Sequence, residues 1–109
     1  MNRAWARAAA VAIAVAAAPA SHGHTGNELK EFAEAAADST DYAYFAGYVT
    51  GVINSSDFEM CLPPGATRRQ AWEIVLKTLR GYPEILHQDA ATIVVASISV
   101  AWPCNTDGD

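Results

Sequence analysis

Two cysteines set the terms on which this chain can fold. Cys61 and Cys104 are its only ones, 43 positions apart, and each stands beside a proline-bearing irregular segment. Cys61-Leu62-Pro63-Pro64-Gly65 opens the stretch and Ala101-Trp102-Pro103-Cys104 closes it, with the strongest helical periodicity of the sequence in between. A single cross-link there would pin both ends of a hairpin of helices, and the chain-entropy account values closing such a loop at about 4 kcal/mol. In a chain this short, where a hydrophobic core alone is marginal, that contribution matters. The alternative use of the pair is two buried thiols or two metal ligands, although no CxxC or nearby Cys/His spacing suggests zinc. An oxidising compartment favours the bridge.

The N-terminus points to such a compartment. Arg3 and Arg7 give a positive start, Ala8 to Ala18 a short apolar run, and Ala18-Pro19-Ala20 a small-x-small cleavage site, the pattern of a secretory signal over residues 1–20. The run is too short to cross a bilayer as a permanent helix, which needs about 20 residues, so no membrane contact is expected of the mature form. Cleavage leaves residues 21–109, enough for one domain and not two. It also leaves five basic residues (Lys30, Arg68, Arg69, Lys77 and Arg80) against all twelve acidic ones, moving the formal charge from −5 to −7. Nucleic acid is therefore not an expected partner, because binding it needs a clustered basic face.

Along the mature chain, Ser21 to Gly26 is polar, holds His22 and His24, and has no periodicity, so it reads as a loose tail. Thr25-Gly26-Asn27-Glu28 fits a capping box, and Leu29, Phe32, Ala33 and Ala36 follow at the spacing of one buried face, which predicts a first helix over 26–37. Asp38-Ser39-Thr40-Asp41 offers caps for a second over 41–54, marked by Tyr42, Phe45, Val49, Val52 and Ile53. Inside it Gly47 and Gly51 share one face. Each costs about 1 kcal/mol relative to alanine in a helix interior, and close approach of a neighbouring helix is the expected compensation.

Asn54 to Ala66 is the longest non-helical segment. Thr67-Arg68-Arg69-Gln70 then repeats the capping-box pattern, and Ala71, Trp72, Val75, Leu79 and Tyr82 mark a third helix that Gly81 should cap. Pro83 fits the start of a short turn over 83–87. Asp89 can cap a fourth helix over about 88–102, with Leu86, Ala90, Ile93, Ser97 and Val100 on its buried face and Pro103 as its stop. The β-branched run Ile93-Val94-Val95 invites a strand, but its segment is too long for one and has no partner strand in the chain. The expected fold class is all-α: a small four-helix domain with one disulfide, behind a cleaved signal peptide.

No catalytic constellation emerges. Ser97 and Ser99 fall within a helix rather than on a strained turn, His87 is the only histidine beyond the tail, and the carboxylates lie on solvated helical faces. Phosphate loops, metal signatures and cofactor fingerprints are lacking too, so neither an enzyme nor a bound cofactor is expected.

Four runs, however, occur together and in order: Gly47-Tyr48-Val49-Thr50-Gly51, Cys61-Leu62-Pro63-Pro64-Gly65-Ala66-Thr67, Tyr82-Pro83-Glu84 with Leu86-His87, and Trp102-Pro103-Cys104. This arrangement resembles the Rap/Tai immunity proteins, whose pattern is a Gly-Tyr-x-x-Gly helix, a Cys-x-Pro-x-Gly-x-Thr turn, a Pro-Glu corner with a Leu-His step, and a closing aromatic-Pro-Cys. The resemblance implies a periplasmic, all-helical protein that binds a peptidoglycan amidase delivered by type VI secretion and occludes its active site. It leaves a homodimer open as a second assembly. Many members carry a further cysteine just ahead of the Gly-Tyr pair and another upstream, whereas here Phe45 stands at the first place and the second is missing. Their joint loss implies that those two pair with each other, which leaves Cys61 for Cys104. A small periplasmic chaperone or stress protein is the alternative from another functional class.

For partner binding, the loop ahead of Cys61 is the expected site. A polar segment anchored at one end by a disulfide loses less entropy when it orders on a target. Phe58 is its one large aromatic, Asp57 and Glu59 can meet donors around an enzyme's active site, and Met60 completes the set of expected contacts.

Overall fold

The computed structural model describes residues 23–56 and 60–104. Residues 1–20, where a signal sequence is expected, Ser21 and His22, the three residues 57–59 and the C-terminal residues 105–109 lie outside the described residues. Among the described residues four helices form: α1 (Gly26–Ala33), α2 (Thr40–Ser55), α3 (Arg68–Gly81) and α4 (Ala90–Ala101), with a 3-10 turn at Pro83–Ile85. Among the described residues there is no strand, only a single bridge between Thr25 and Asp89. Each helix packs on the other three. Their shared centre is Leu29, Phe45, Val49, Val75, Leu79, Ile93, Val94 and Ile98, all essentially inaccessible to water.

Every helix begins at a side-chain cap legible in the sequence. Thr25 and Glu28 close a capping box on α1, with Thr25 N–H donating to Glu28 Oε1 at 2.9 Å and Glu28 N–H to Thr25 Oγ1 at 3.3 Å. Thr67 and Gln70 repeat it on α3 at 2.7 and 3.1 Å. Ser39 accepts from Tyr42 N–H at 3.1 Å on α2, and Asp89 from Thr92 N–H at 3.1 Å on α4. Each cap satisfies backbone donors that the first turn leaves without partners, typically contributing about 1 kcal/mol.

Two helix ends differ from those expected, while the Pro103 stop of α4 stands. α1 stops at Ala33 rather than 37, its last turn tightening as Ala35 N–H donates to Phe32 O. Gly81 does not cap α3 in the left-handed region; it is the last helical residue, and Gly65 is the only described residue with positive φ, at 88°. Tyr82 ends α3 instead, at φ −133°, ψ 71°, and Trp102 ends α4 at φ −130°, ψ 75°. Both precede a proline, whose ring excludes the α region for the residue before it. One aromatic-proline device thus stops both helices. Gly65 serves the turn between α2 and α3, where Pro64 and then Gly65 fill the central positions and Ala66 N–H donates to Pro63 O at 3.1 Å.

Three packing expectations need correction. Gly47 and Gly51 face open space, with nothing within 4 Å of a built Cβ. At 100° per residue they lie opposite the arc of Phe45, Ala46, Val49 and Ile53 that α2 buries. Val100, expected in the core, is 82% exposed, and Val94 and Ile98 are buried in its stead; Tyr82 is likewise out of the core. Finally, residues 23–26 are no loose tail. They lie along the segment before α4, with Gly26 N–H donating to Gln88 O (2.9 Å), Asn27 N–H to Leu86 O (2.8 Å) and Ala90 N–H to His24 O (2.7 Å). Gly26 is the glycine that close packing demands: a Cβ there would stand 2.5 Å from Ile93 Cδ1 and 3.0 Å from Leu86 O.

Candidate interaction surface

The loop between α2 and α3 is held at both ends. At its start, Ser56 N–H donates to Ile53 O and Ser55 Oγ to Val52 O, closing the last turn of α2. At its far end Cys61 is bonded to Cys104, with a Cα–Cα separation of 5.0 Å, so that the loop's base is fixed to the residue that follows the Pro103 stop of α4. Both cysteines are exposed. Met60 is not: at 7% exposure its side chain belongs to the core, where it anchors the loop from within. Among the four residues expected to contact a partner, Asp57, Phe58 and Glu59 lie outside the described residues, and Met60 is turned inward.

At the loop's base a recess of about 170 Å³ is lined by Thr50, Ile53, Asn54, Leu62, Arg68 and Ala71. Its floor is braced by a relay in which Trp72 Nε1–H donates to Thr50 Oγ1 at 3.0 Å and Thr50 Oγ1–H donates to Ala46 O at 2.8 Å. This ties α3 to α2 below the loop. Leu62 is 39% exposed, and the exposed Arg68 stands at the recess's edge in the first turn of α3. The base therefore combines apolar surface with an exposed cation, a pairing suited to protein contact.

A second feature went unseen in the sequence. The ring of His24 sits against Phe32, Tyr44 and Tyr48, edge-on, with centroids 5.5, 5.3 and 5.8 Å away. Its Nε2 is 2.7 Å from Tyr44 Oη and its Nδ1 3.5 Å from Glu28 Oε1. The Thr25 backbone N–H, with lesser help from His24, holds the Glu28 carboxyl below its ordinary value, while burial and then the Asp89 charge push the Tyr48 hydroxyl up. A lone histidine in a polar stretch carries no signal for this; only the aromatic residues at positions 32, 44 and 48 hinted at a ring cluster.

The third feature is an open groove of about 430 Å³ between α3 and α4, walled by Ile74, Tyr82, Ile85 and Val100. Among the described residues no group of three or more His, Cys, Asp or Glu side chains is placed to hold a metal ion, and no helix is long and apolar enough to cross a membrane. His87 is exposed at the turn before α4. Among the described residues the surface thus offers a loop base and a groove shaped for contact with a protein.

The family model of Rap1a immunity proteins matches residues 25–104, from the Thr25 cap of α1 to the closing cysteine. No curated protein matches the chain.

Proposed function

The chain belongs to the Rap1a immunity protein family, and on that footing we propose that it is a periplasmic immunity protein that binds and inhibits a peptidoglycan amidase delivered by type VI secretion. Immunity proteins of this kind act by binding an effector protein, so the partner is a protein and the activity is inhibition rather than catalysis. The observation that carries the reading is the extent of the match. It runs through all four helices and both cysteines, so it includes the parts that hold the loop in place.

The proposed mechanism is occlusion. Asp57, Phe58 and Glu59 enter or cover the enzyme's cleft, with Phe58 as the anchor and the two carboxylates meeting donors around the active site. Met60 serves by its burial and Cys61 by its bond to Cys104, since a loop tied at its base loses less freedom when it binds. The signal sequence and the disulfide support export to the periplasm. A homodimer is proposed as the protein's second assembly.

The test is protection. Cells that export the proposed target, a type VI peptidoglycan amidase, should lyse, and co-expression of this chain should rescue them. Phe58→Ala with Asp57→Ala should abolish rescue while circular dichroism and melting stay at parental values. Full rescue by that double variant would move the interface off the loop, to the Arg68 and Arg69 end of α3 or the turn around His87.

A further inference from the structure

α4 contains no charged residue anywhere in Ala90–Ala101. A helix without charges and apolar over most of its surface is normally buried, yet here Ala96 and Val100 face outward and Val100 is 82% exposed. The groove between α4 and α3 lies beside that face. Its two walls are helical ridges: Ile74, Lys77 and Thr78 at i, i+3 and i+4 on α3, and Ala96 and Val100 at i and i+4 on α4. Such paired ridges are the receiving geometry for a third helix. Small residues on the α4 side allow its backbone to come close. A small molecule lying in the groove would leave the outer faces of Tyr82, 54% exposed, and Val100 wet, whereas a helix laid across it would cover both.

Charge selects the occupant. α3 holds four of the five basic residues in 21–109, Arg68, Arg69, Lys77 and Arg80, against the single acidic Glu73. Arg68 lines the recess at the base of the α2–α3 loop and Arg80 reaches Glu34 at 3.5 Å, so the cation that α3 gives the groove is Lys77. Lys77 is the only charged residue lining the groove, and among the described residues it pairs with no carboxylate. We propose that the α3–α4 groove docks an amphipathic helix of a partner protein, its aliphatic stripe seated between Tyr82 and Val100 and a flanking carboxylate paired with Lys77. This surface is distinct from the α2–α3 loop and does not depend on which enzyme the protein inhibits.

A synthetic amphipathic helix of roughly 15 residues, with a leucine stripe flanked by glutamates, is the probe, titrated into the isotope-labelled, disulfide-bonded protein and followed by amide chemical shifts. Its counterpart with lysines for glutamates is the control. Saturable shifts at Ile74, Lys77, Ala96 and Val100 are expected, with the lysine peptide about three-fold weaker, the scale of one exposed ion pair. Lys77→Glu should reverse that preference. Val100→Gln, a surface change in the last turn of α4, should weaken the glutamate peptide about ten-fold with melting unchanged. Equal affinity for both peptides, shifts confined to other residues, or no shifts at all would overturn the proposal. So would concentration-dependent shifts of the same amides without peptide, which would give the groove to a second copy of this chain.

Discussion

The bundle is closed at two places by opposite means. At the disulfide end, one covalent bond between Cys61 and Cys104 ties the loop before α3 to the chain after α4. At the other end, residues 24–27 are strapped to the segment 86–90 by backbone hydrogen bonds of 2.7 to 2.9 Å, with Gly26 giving the room and the His24 ring clipped among Phe32, Tyr44 and Tyr48. The first closure acts mainly on the unfolded chain, by removing conformations. The second acts on the folded state through fit. A closure of the first kind tolerates imprecise surroundings, and one of the second kind does not.

That difference can be broken from either side. The largest effect is expected from Cys61→Ala with Cys104→Ala, which should lower stability by about 4 kcal/mol, read as an earlier denaturant midpoint. Reductant applied to the parent should reproduce it, and a midpoint shared by oxidised and reduced protein would contradict it. Next comes Gly26→Val. Its Cβ alone meets Ile93 Cδ1 and the Leu86 backbone, and overpacking of this kind costs about 1 to 3 kcal/mol, so melting should fall with the disulfide intact. Gly51→Ala should move the other way: with open space around it, the gain in helix propensity is about 1 kcal/mol, and a lowered melting temperature would show that the glycine is held by a contact. The smallest effect concerns pH. The Glu28 carboxyl titrates below its ordinary value near 4.5 because the Thr25 N–H stabilises its charged form. Its contribution is thus complete above that value and is lost as pH falls through the lower folded value. Stability should therefore drop less steeply below about pH 4.5 in Glu28→Gln than in the parent, and parallel pH profiles would remove Glu28 from the clamp.

The two closures also differ in what they leave in the sequence. A staple needs two cysteines, and those are visible at once; so are the caps at Thr25, Ser39, Thr67 and Asp89, because each depends on a particular side chain. Helix existence and order followed from them. The strap is made of backbone groups, which every residue carries, so residues 23–26 looked like a tail. Gly26 was its one trace, and it was overshadowed by Gly47 and Gly51, whose spacing suggested a packed face. The helical wheel sets those two opposite Phe45 and Val49, so the arc of large side chains is the stronger signal and puts the glycines in solvent. Val100 was misplaced for a related reason: on a helix without charged residues, hydrophobicity marks no side, and only the neighbours decide which stripe is covered. Of the expected contact residues, Met60 shows the same limit, since an apolar residue beside a cysteine serves equally as anchor or as contact. The groove between α3 and α4 depends on the distance between two helices, which no local pattern records.

Stoichiometric inhibition tests the functional account most directly. The type VI peptidoglycan amidase that this protein is proposed to inhibit should be assayed on purified peptidoglycan while the disulfide-bonded protein is titrated in. The account predicts that release of cleaved peptides falls linearly to zero at a fixed molar ratio and that the two proteins co-elute as a stable complex. Undiminished cleavage in the presence of a large excess of this protein would contradict it.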